Sequence, residues 1–190
     1  MNRKTIQEQR RKGYFIDAAK DIIKNEGFGN LTVKKIADRA GFAPGTLYNY
    51  FENLNELYVY CAADFWEECR ETVINKVSEK ENIKEKIIDA AKAYCEYFID
   101  NPQVFQLIFL KDLEDIPQET PGVVLLLTEQ LEEGFDKGLI AEDKLKHIEN
   151  ILSNFMHGLL LFYIKQRTGL SREQILKMLE DEILFLLKEN

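Results

Sequence analysis

Apolar residues recur at intervals of three and four positions along most of this chain, and the alternation of apolar and polar residues that would predict strands is nearly absent. Proline is scarce, and glycine lies between the apolar patterns. The pattern predicts an all-α fold of about nine helices joined by short turns. The predicted helices cover residues 5–25, 33–40, 44–51, 53–77, 83–99, 102–113, 121–137, 143–168 and 172–188.

Polar residues at helix starts support several of these boundaries. Thr32 offers a hydroxyl that can cap the helix over 33–40. Asn53 followed three residues later by Glu56 resembles a capping box, and so does Ser171 with Gln174. We therefore expect helices to begin directly after these three capping positions.

Composition places the chain among globular proteins with a core. It has 190 residues, of which 45% are apolar and 31% charged. No run reaches the roughly 18 apolar residues that a membrane span needs, and the N-terminus is polar where a signal peptide would be apolar. We therefore expect a cytoplasmic protein with no membrane partner.

The net charge of −8 is unevenly distributed along the chain. Residues 1–50 hold ten Lys and Arg against five Asp and Glu, a balance of +5, and residues 51–190 hold fifteen against twenty-eight, a balance of −13. A basic head on an acidic body concentrates the attraction for phosphate at one end. The distribution therefore favours a nucleic-acid partner for the N-terminal part, although the whole chain is acidic.

Residues that could support catalysis or metal binding are few. The three cysteines form no CxxC pair, and we expect them to be small buried residues without disulfides. His147 and His157 lie ten positions apart, which is not a metal-ligand spacing within one helix. The sequence lacks G-x-S-x-G, a P-loop, G-x-G-x-x-G after a strand, and HExxH. We predict that the protein is not an enzyme and has no cofactor and no metal site.

Two short helices joined by a turn that contains glycine, 33–40 and 44–51, form the pattern of a helix-turn-helix. In this motif the first helix braces the second, which lies in the major groove of DNA. Leu47 and Phe51 are the predicted inward anchors of the second helix. Its other residues are either small, which lets the backbone approach the DNA, or carry polar or aromatic groups that can reach into the groove. They are Gly45, Thr46, Tyr48, Asn49 and Tyr50.

The stretch LTVKKIADRAGFAPGTLYNYF, residues 31–51, resembles the DNA-binding signature of TetR-family repressors. It has the capping Thr, the Ile-Ala pair, the Ala-Gly corner, the Gly-Thr-Leu-Tyr run and the final Tyr-Phe at family spacing. The resemblance implies an Ω-shaped homodimer with a helix-turn-helix domain over 1–52 and a ligand-binding and dimerisation domain over 53–190. It also implies a ligand-released repressor of a nearby operon that binds double-stranded operator DNA.

The resemblance assigns roles to single residues. Thr46 and Tyr48 match positions that contact phosphate or base edges, and Asn49 and Tyr50 match variable positions that help to select sequence. Lys34 and Lys35 are added from their charge and location. The predicted DNA-contacting set is Thr32, Lys34, Lys35, Pro44, Gly45, Thr46, Tyr48, Asn49 and Tyr50.

Two residues depart from the family pattern. Ala43 replaces the Ser or Thr that commonly caps the recognition helix, which removes a cap worth about 1 kcal/mol. Pro44 partly offsets this loss by pre-setting the backbone. Leu54 stands where the family often has a Lys that grips phosphate, so we expect that contact to be missing.

The remainder of the chain offers candidates for an effector pocket and for a dimer interface. An aromatic pocket would suit a lipophilic small molecule such as a drug, a fatty-acyl derivative or an aromatic metabolite, although an aromatic stripe of this kind also forms ordinary core. The pocket candidates are Trp66, Tyr94, Tyr97, Phe98, Phe105, Phe109 and Phe155. The dimer candidates, on two helices that are apolar on several sides, are Phe155, Gly158, Leu159, Phe162, Ile183 and Leu187.

Other functions remain compatible with the residues alone. A different class of helix-turn-helix protein would share the head but be a monomer, and an interaction module would not bind duplex DNA. Activation in place of repression also stays open, because both act through occupancy of a DNA site.

Overall fold

The computed structural model describes residues 3–113 and 123–188. Within these ranges the chain is helical without strands, and the predicted all-α fold is confirmed. Two of the helices are short 3-10 helices. The elements in chain order are α1 Arg3–Glu26, η1 Phe28–Asn30, α2 Val33–Ala40, η2 Pro44–Asn49, α3 Leu54–Val77, α4 Ile83–Asp100, α5 Pro102–Leu110, α6 Val123–Asp136, α7 Glu142–Ile164 and α8 Arg172–Leu186.

Several helices differ from their predicted ranges, and the helix predicted over 172–188 ends at Leu186. The second helix of the helix-turn-helix, predicted over 44–51, is a 3-10 helix that ends at Asn49, with the Tyr50 amide bonded to the Leu47 carbonyl at 2.9 Å. The helix predicted over 143–168 ends at Ile164, because Gln166 adopts a left-handed φ of 54°. The helix predicted over 102–113 ends at Leu110, because Lys111 is extended. The first residues of the range 121–137 lie outside the described part of the chain.

The described residues divide into two compact units. The first contains α1, η1, α2, η2, the part of α3 up to Phe65, and α5. The second contains the rest of α3 together with α4, α6, α7 and α8. The sequence-based boundary between residues 52 and 53 lies inside the first unit, so a functional boundary at that point stays a prediction.

The core of the first unit is built on the apolar face of α1. Phe15, Ala19 and Ile22 are inaccessible to solvent, and α1 packs against α2 through Ile36. Gly27 ends α1 with a φ of 85°, and a Cβ at this glycine would lie 2.7 Å from the Gln103 side chain of α5. The positive φ and the close approach both favour glycine there.

The core of the second unit surrounds α4, which packs against α6, α7 and α8. Its inward residues follow helical spacing and are almost fully buried: Ile87, Ala91, Tyr94, Cys95 and Phe98. Lys92 of α4 pairs with Glu180 of α8 at 2.8 Å, and Lys86 of α4 pairs with Glu133 of α6 at 2.9 Å. These ion pairs link α4 to α6 and α8 at the partly exposed edge of the core, and the apolar face of α4 packs inside it.

The predictions that the cysteines are buried and that Ser171 caps α8 are confirmed. Cys61, Cys69 and Cys95 are buried free thiols, and burial raises the pKa of Cys69 to about 12. Ser171 forms the predicted capping box at α8, because its hydroxyl accepts from the Gln174 amide at 3.3 Å and the Gln174 side chain accepts from the Ser171 amide at 2.8 Å.

Candidate nucleic-acid interface

The two short helices meet at a sharp corner that local interactions define. The Thr32 hydroxyl accepts a hydrogen bond from the Lys35 amide at 3.2 Å and caps α2, as predicted. Gly41 ends α2 in the left-handed region with a φ of 78°, and the Phe42 amide donates to the Ala37 carbonyl at 2.9 Å. Because η2 begins at Pro44, the turn between the two helices is only three residues long.

Buried aromatic contacts fix η2 onto α1. Leu47 is fully buried and Phe51 is 2% exposed, so both predicted anchors face inward. The Phe15 ring of α1 lies 5.1 Å from the Phe42 ring, 5.7 Å from the Tyr50 ring and 6.5 Å from the Phe51 ring. The segments before and after η2 therefore both pack against Phe15 of α1. Tyr50 is half-buried by this contact, so less of its ring is free for a partner.

The remaining residues of η2 are accessible. Tyr48 is 58% exposed, and its hydroxyl has no hydrogen-bond partner among the residues that the structure describes. Asn49 is exposed and Thr46 is half-buried. Residues three apart lie in line in a 3-10 helix, so Gly45 lies beside Tyr48 and Thr46 beside Asn49. A Cβ built at Gly45 would meet nothing within 4 Å, so this surface is open.

The predicted cations differ in their availability. Lys35 pairs with Glu26 of α1 at 2.7 Å, and Arg39 pairs with Asp21 and Glu26. The hydrogen bond from Lys35, together with the charge of Arg39, lowers the pKa of Glu26. Lys34 is exposed, and it makes no ion pair within residues 3–113 and 123–188. Lys34 is thus the cation of α2 that is open to a partner.

The start of α3 differs from the predicted capping box. Asn53 caps the helix by accepting from the Glu56 amide at 2.9 Å. The Glu56 carboxylate, however, accepts from the amide of Glu52 at 2.7 Å, one residue before the predicted Asn53. The prediction was wrong in this detail, since the chain bends at Glu52 and Asn53 and the Glu56 carboxylate accepts from Glu52.

Lys12 of α1 was not among the predicted residues, although it lies against the same corner. Its ammonium lies 3.7 Å from the Tyr60 ring centroid, 4.9 Å from the Phe51 ring centroid and 3.7 Å from a Glu56 carboxylate oxygen. The partners of Lys12 are 39 to 48 positions away in the sequence, so no local motif could have predicted these contacts. Lys12 ties α1 to the residues that follow η2.

Among the described residues, no group of three or more His, Cys, Asp or Glu side chains could hold a metal ion. The described helices include none long and apolar enough to cross a membrane.

The segment that contains α2, the turn and η2 is similar to known regulatory proteins. Residues 15–61 match the model of the family described as "Bacterial regulatory proteins, tetR family". The Fatty acid metabolism regulator protein of Bacillus subtilis (strain 168) is 34% identical over 82 residues, which is 42% of this chain and 42% of that protein. The match therefore covers less than half the length of this relative.

Solved structures extend the likeness to the whole fold. The fatty acid degradation regulator FadR from Bacillus halodurans has a TM-score of 0.72 at 19% identity, covering 93% of this chain and 94% of that one. Thermus thermophilus FadR, a TetR-family transcriptional repressor in complex with lauroyl-CoA, has a TM-score of 0.71 at 18% identity, covering 94% and 96%. Residues 15–61 thus match the TetR family, and the fold of the chain is similar to that of these solved TetR-type regulators.

In the second unit, four of the aromatic pocket candidates meet. The Phe98 ring lies 5.9 Å from Trp66, 4.9 Å from Tyr94 and 5.1 Å from Tyr97. Phe155 of α7 is half-buried. These four rings, Trp66, Tyr94, Tyr97 and Phe98, are called the aromatic cluster below.

The two remaining pocket candidates lie in the first unit. Phe105 and Phe109 are both on α5, where their ring centroids are 4.8 Å apart. They pack as a pair one helical turn apart. One cavity of about 320 Å³ in the second unit is lined by residues around Ile140 and Leu187, and none of the seven aromatic candidates lines it.

One polar pair adjoins the aromatic cluster, and sequence reasoning missed it. The Tyr94 hydroxyl and His157 Nε2 lie 2.9 Å apart, a contact that the sequence pattern does not predict. Burial lowers the pKa of His157, which favours the neutral ring. Tyr97 donates to the Glu68 carboxylate at 3.1 Å, and burial together with that charge raises the pKa of Tyr97.

The dimer candidates separate into buried and exposed groups. Leu159, Ile183 and Leu187 are buried within the second unit of a single chain. Phe162 is 55% exposed, and a Cβ at Gly158 would have open space around it. Three further apolar residues of α8 are exposed: Met178, Leu184 and Phe185.

Proposed function

We propose that this protein is a sequence-specific, DNA-binding transcriptional regulator that acts as a ligand-released repressor. The observation that carries the proposal is the division of η2 into buried anchors and an accessible face. Leu47 and Phe51 hold the element, while Gly45, Tyr48 and Asn49 stay accessible. In the major groove, polar tips can reach base edges and a small residue lets the backbone approach phosphate.

In this proposal the regulator is a homodimer joined through α7 and α8. Phe162, Leu184 and Phe185 are large apolar side chains on these helices that a single chain leaves in water. Gly158 leaves room for a partner helix to approach closely. A two-fold pair would present two copies of η2 to the two half-sites of a palindromic operator.

The effector class that we favour is a fatty acyl-CoA. The aromatic cluster supplies apolar surface for an acyl chain, and the Tyr94–His157 pair supplies a polar group that could orient a carbonyl. Support also comes from relatives named as a fatty acid metabolism regulator and as a repressor in complex with lauroyl-CoA. Release requires that the ligand bind more tightly to the DNA-free form than to the DNA-bound form.

The DNA-binding part of the proposal is tested by selection from genomic fragments. Purified protein is mixed with fragmented DNA from the source genome, and the retained fragments are sequenced at two salt concentrations. We expect enrichment of one palindromic site whose half-sites are separated by one helical turn or a multiple of it, about 34–36 Å for one turn. Enrichment of no site above the background of random fragments would contradict the proposal.

The effector part is tested with lauroyl-CoA, using free CoA as the control ligand. We expect lauroyl-CoA to release the selected duplex and to change the fluorescence of Trp66, which is the single tryptophan of the chain and lies against Phe98. Free CoA should do neither, because it brings no apolar chain to the aromatic cluster. Release without any change in Trp66 emission would place the acyl chain away from the cluster.

A further inference from the structure

Most cations of the helix-turn-helix are already paired with carboxylates of the same unit. Lys35 is held by Glu26, and Arg39 is held by Asp21 and Glu26. At the start of α3, the apolar Leu54 occupies a position where TetR-family proteins often have a lysine. Lys34 is the one cation of α2 without an ion pair among the described residues, so a phosphate partner gains from positive charge elsewhere in the first unit.

The first turns of α1 carry such charge in an accessible form. Every residue from 5 to 11 is exposed, so this stretch of helix has no packing partner in the described part of the chain. Arg10 and Arg11 lie in it, and neither makes an ion pair with a described residue. Glu8 is the one acidic residue among positions 3–12.

This stretch is continuous with the surface of the helix-turn-helix. Tyr14 is 54% exposed, and its ring stacks on that of Phe42 in the turn before η2, with centroids 6.3 Å apart. Arg10 and Arg11 precede Tyr14 by four and three positions and so lie on the same side of α1, one turn further out. Along the helix axis, Arg10 and Arg11 lie about 5–8 Å from Tyr14 and Phe15. These two aromatic residues contact the turn before η2 and the residues that follow it.

These spacings suit the backbone of a duplex that holds η2 in its groove. The major groove is about 12 Å wide, so rows of phosphates lie on the order of 6 Å to either side of an element at its centre. Arginine presents a rigid fork of donors that matches phosphate oxygens. We propose that Arg10 and Arg11 bind the DNA phosphate backbone beside the groove that η2 enters. This inference rests on the proposed function and adds a contact surface to it.

The test is the double variant R10Q/R11Q, because glutamine keeps the helix propensity and removes both charges. Binding is measured by fluorescence anisotropy at several salt concentrations, on the genomically selected duplex and on a random-sequence duplex. We expect affinity at low salt to fall about tenfold or more for both duplexes. The slope of log K against log salt should lessen by about 1.8 for each bound protomer, since each phosphate contact contributes about 0.9. Preference for the selected duplex should be retained.

Two control variants sharpen the result. R10K/R11K keeps both charges and should keep most of the salt slope. K146Q/R167Q removes two positive charges at exposed positions of the second unit and should change neither affinity nor slope beyond error. Circular dichroism and thermal unfolding verify that all variants are folded.

The possible outcomes separate the two proposals. If R10Q/R11Q binds both duplexes with the wild-type affinity and slope, or falls no further than K146Q/R167Q, the inference is overturned while the proposed function stands. If R10Q/R11Q loses preference for the selected duplex with an unchanged slope, the arginines do not act on phosphate and the inference is also wrong. If the wild-type protein binds no duplex, the proposed function and the inference both fail.

Discussion

Replacing Tyr48 with alanine is expected to weaken binding to every duplex by about tenfold or more, without loss of fold. The side chain is 58% exposed, and its hydroxyl is unused by the described residues, so its removal leaves no cavity. A hydrogen bond to a charged phosphate contributes about 1.5–3 kcal/mol, which corresponds to this loss of affinity. Anisotropy titrations of the selected and the random duplex at several salt concentrations measure the effect.

Two further variants of η2 distinguish the kind of contact. Tyr48→Phe keeps the ring and removes the hydroxyl, so it should reproduce most of the loss if the hydroxyl donates to phosphate. Asn49→Ala should change the preference among sequences in place of lowering all affinities together. If Tyr48→Ala binds as tightly as wild type at every salt concentration, the role assigned to Tyr48 is wrong.

Replacing Phe51 with alanine should lower the free energy of unfolding of the first unit by about 3–5 kcal/mol. Phe51 is 2% exposed and contacts the rings of Phe15 at 6.5 Å and Tyr60 at 5.8 Å. The truncation leaves a cavity beneath the segment that directly follows η2. DNA binding should therefore be lost together with stability. Urea denaturation followed by circular dichroism measures the change.

The control for Phe51→Ala is Tyr48→Ala, an aromatic truncation in the neighbouring element. Because Tyr48 is exposed, its loss should change the stability by no more than about 0.5 kcal/mol. Equal stability losses in the two variants would mean that the division of this region into anchors and accessible residues is incorrect. Unchanged stability in Phe51→Ala would mean that η2 is held without its aromatic contact.

The helices and most of their caps were predictable because the interactions that define them are local. Thr32 bonds to an amide three residues later, and Ser171 and Gln174 satisfy each other within one turn. The corner at Gly41 likewise depends on the conformation of a single residue. The DNA-binding signature could be recognised for the same reason, since its anchors and its polar residues lie within one continuous stretch.

Predictions that depended on partners distant in sequence could not be made in the same way. The sequence marks Lys35 as a cation, whereas its availability depends on Glu26 of another helix, nine positions away. It also marks His157 as an isolated histidine, and only packing in the second unit places it 2.9 Å from the Tyr94 hydroxyl. The salt bridge and the hydrogen bond exist because two helices pack, and no local spacing encodes them.

The apolar residues of α7 and α8 show the same division between local and tertiary information. Their spacing determined that both helices are apolar on several sides, which predicted burial against more than one neighbour. Tertiary structure decided that Leu159, Ile183 and Leu187 face the core of their own chain, while Phe162 and Phe185 remain exposed. The sequence by itself thus determined the helices, their caps and the helix-turn-helix signature, since these depend on residues within a turn or two of each other. Which cations are free, which aromatic rings meet and which apolar faces stay open were decided by tertiary packing, because burial depends on the elements that lie alongside.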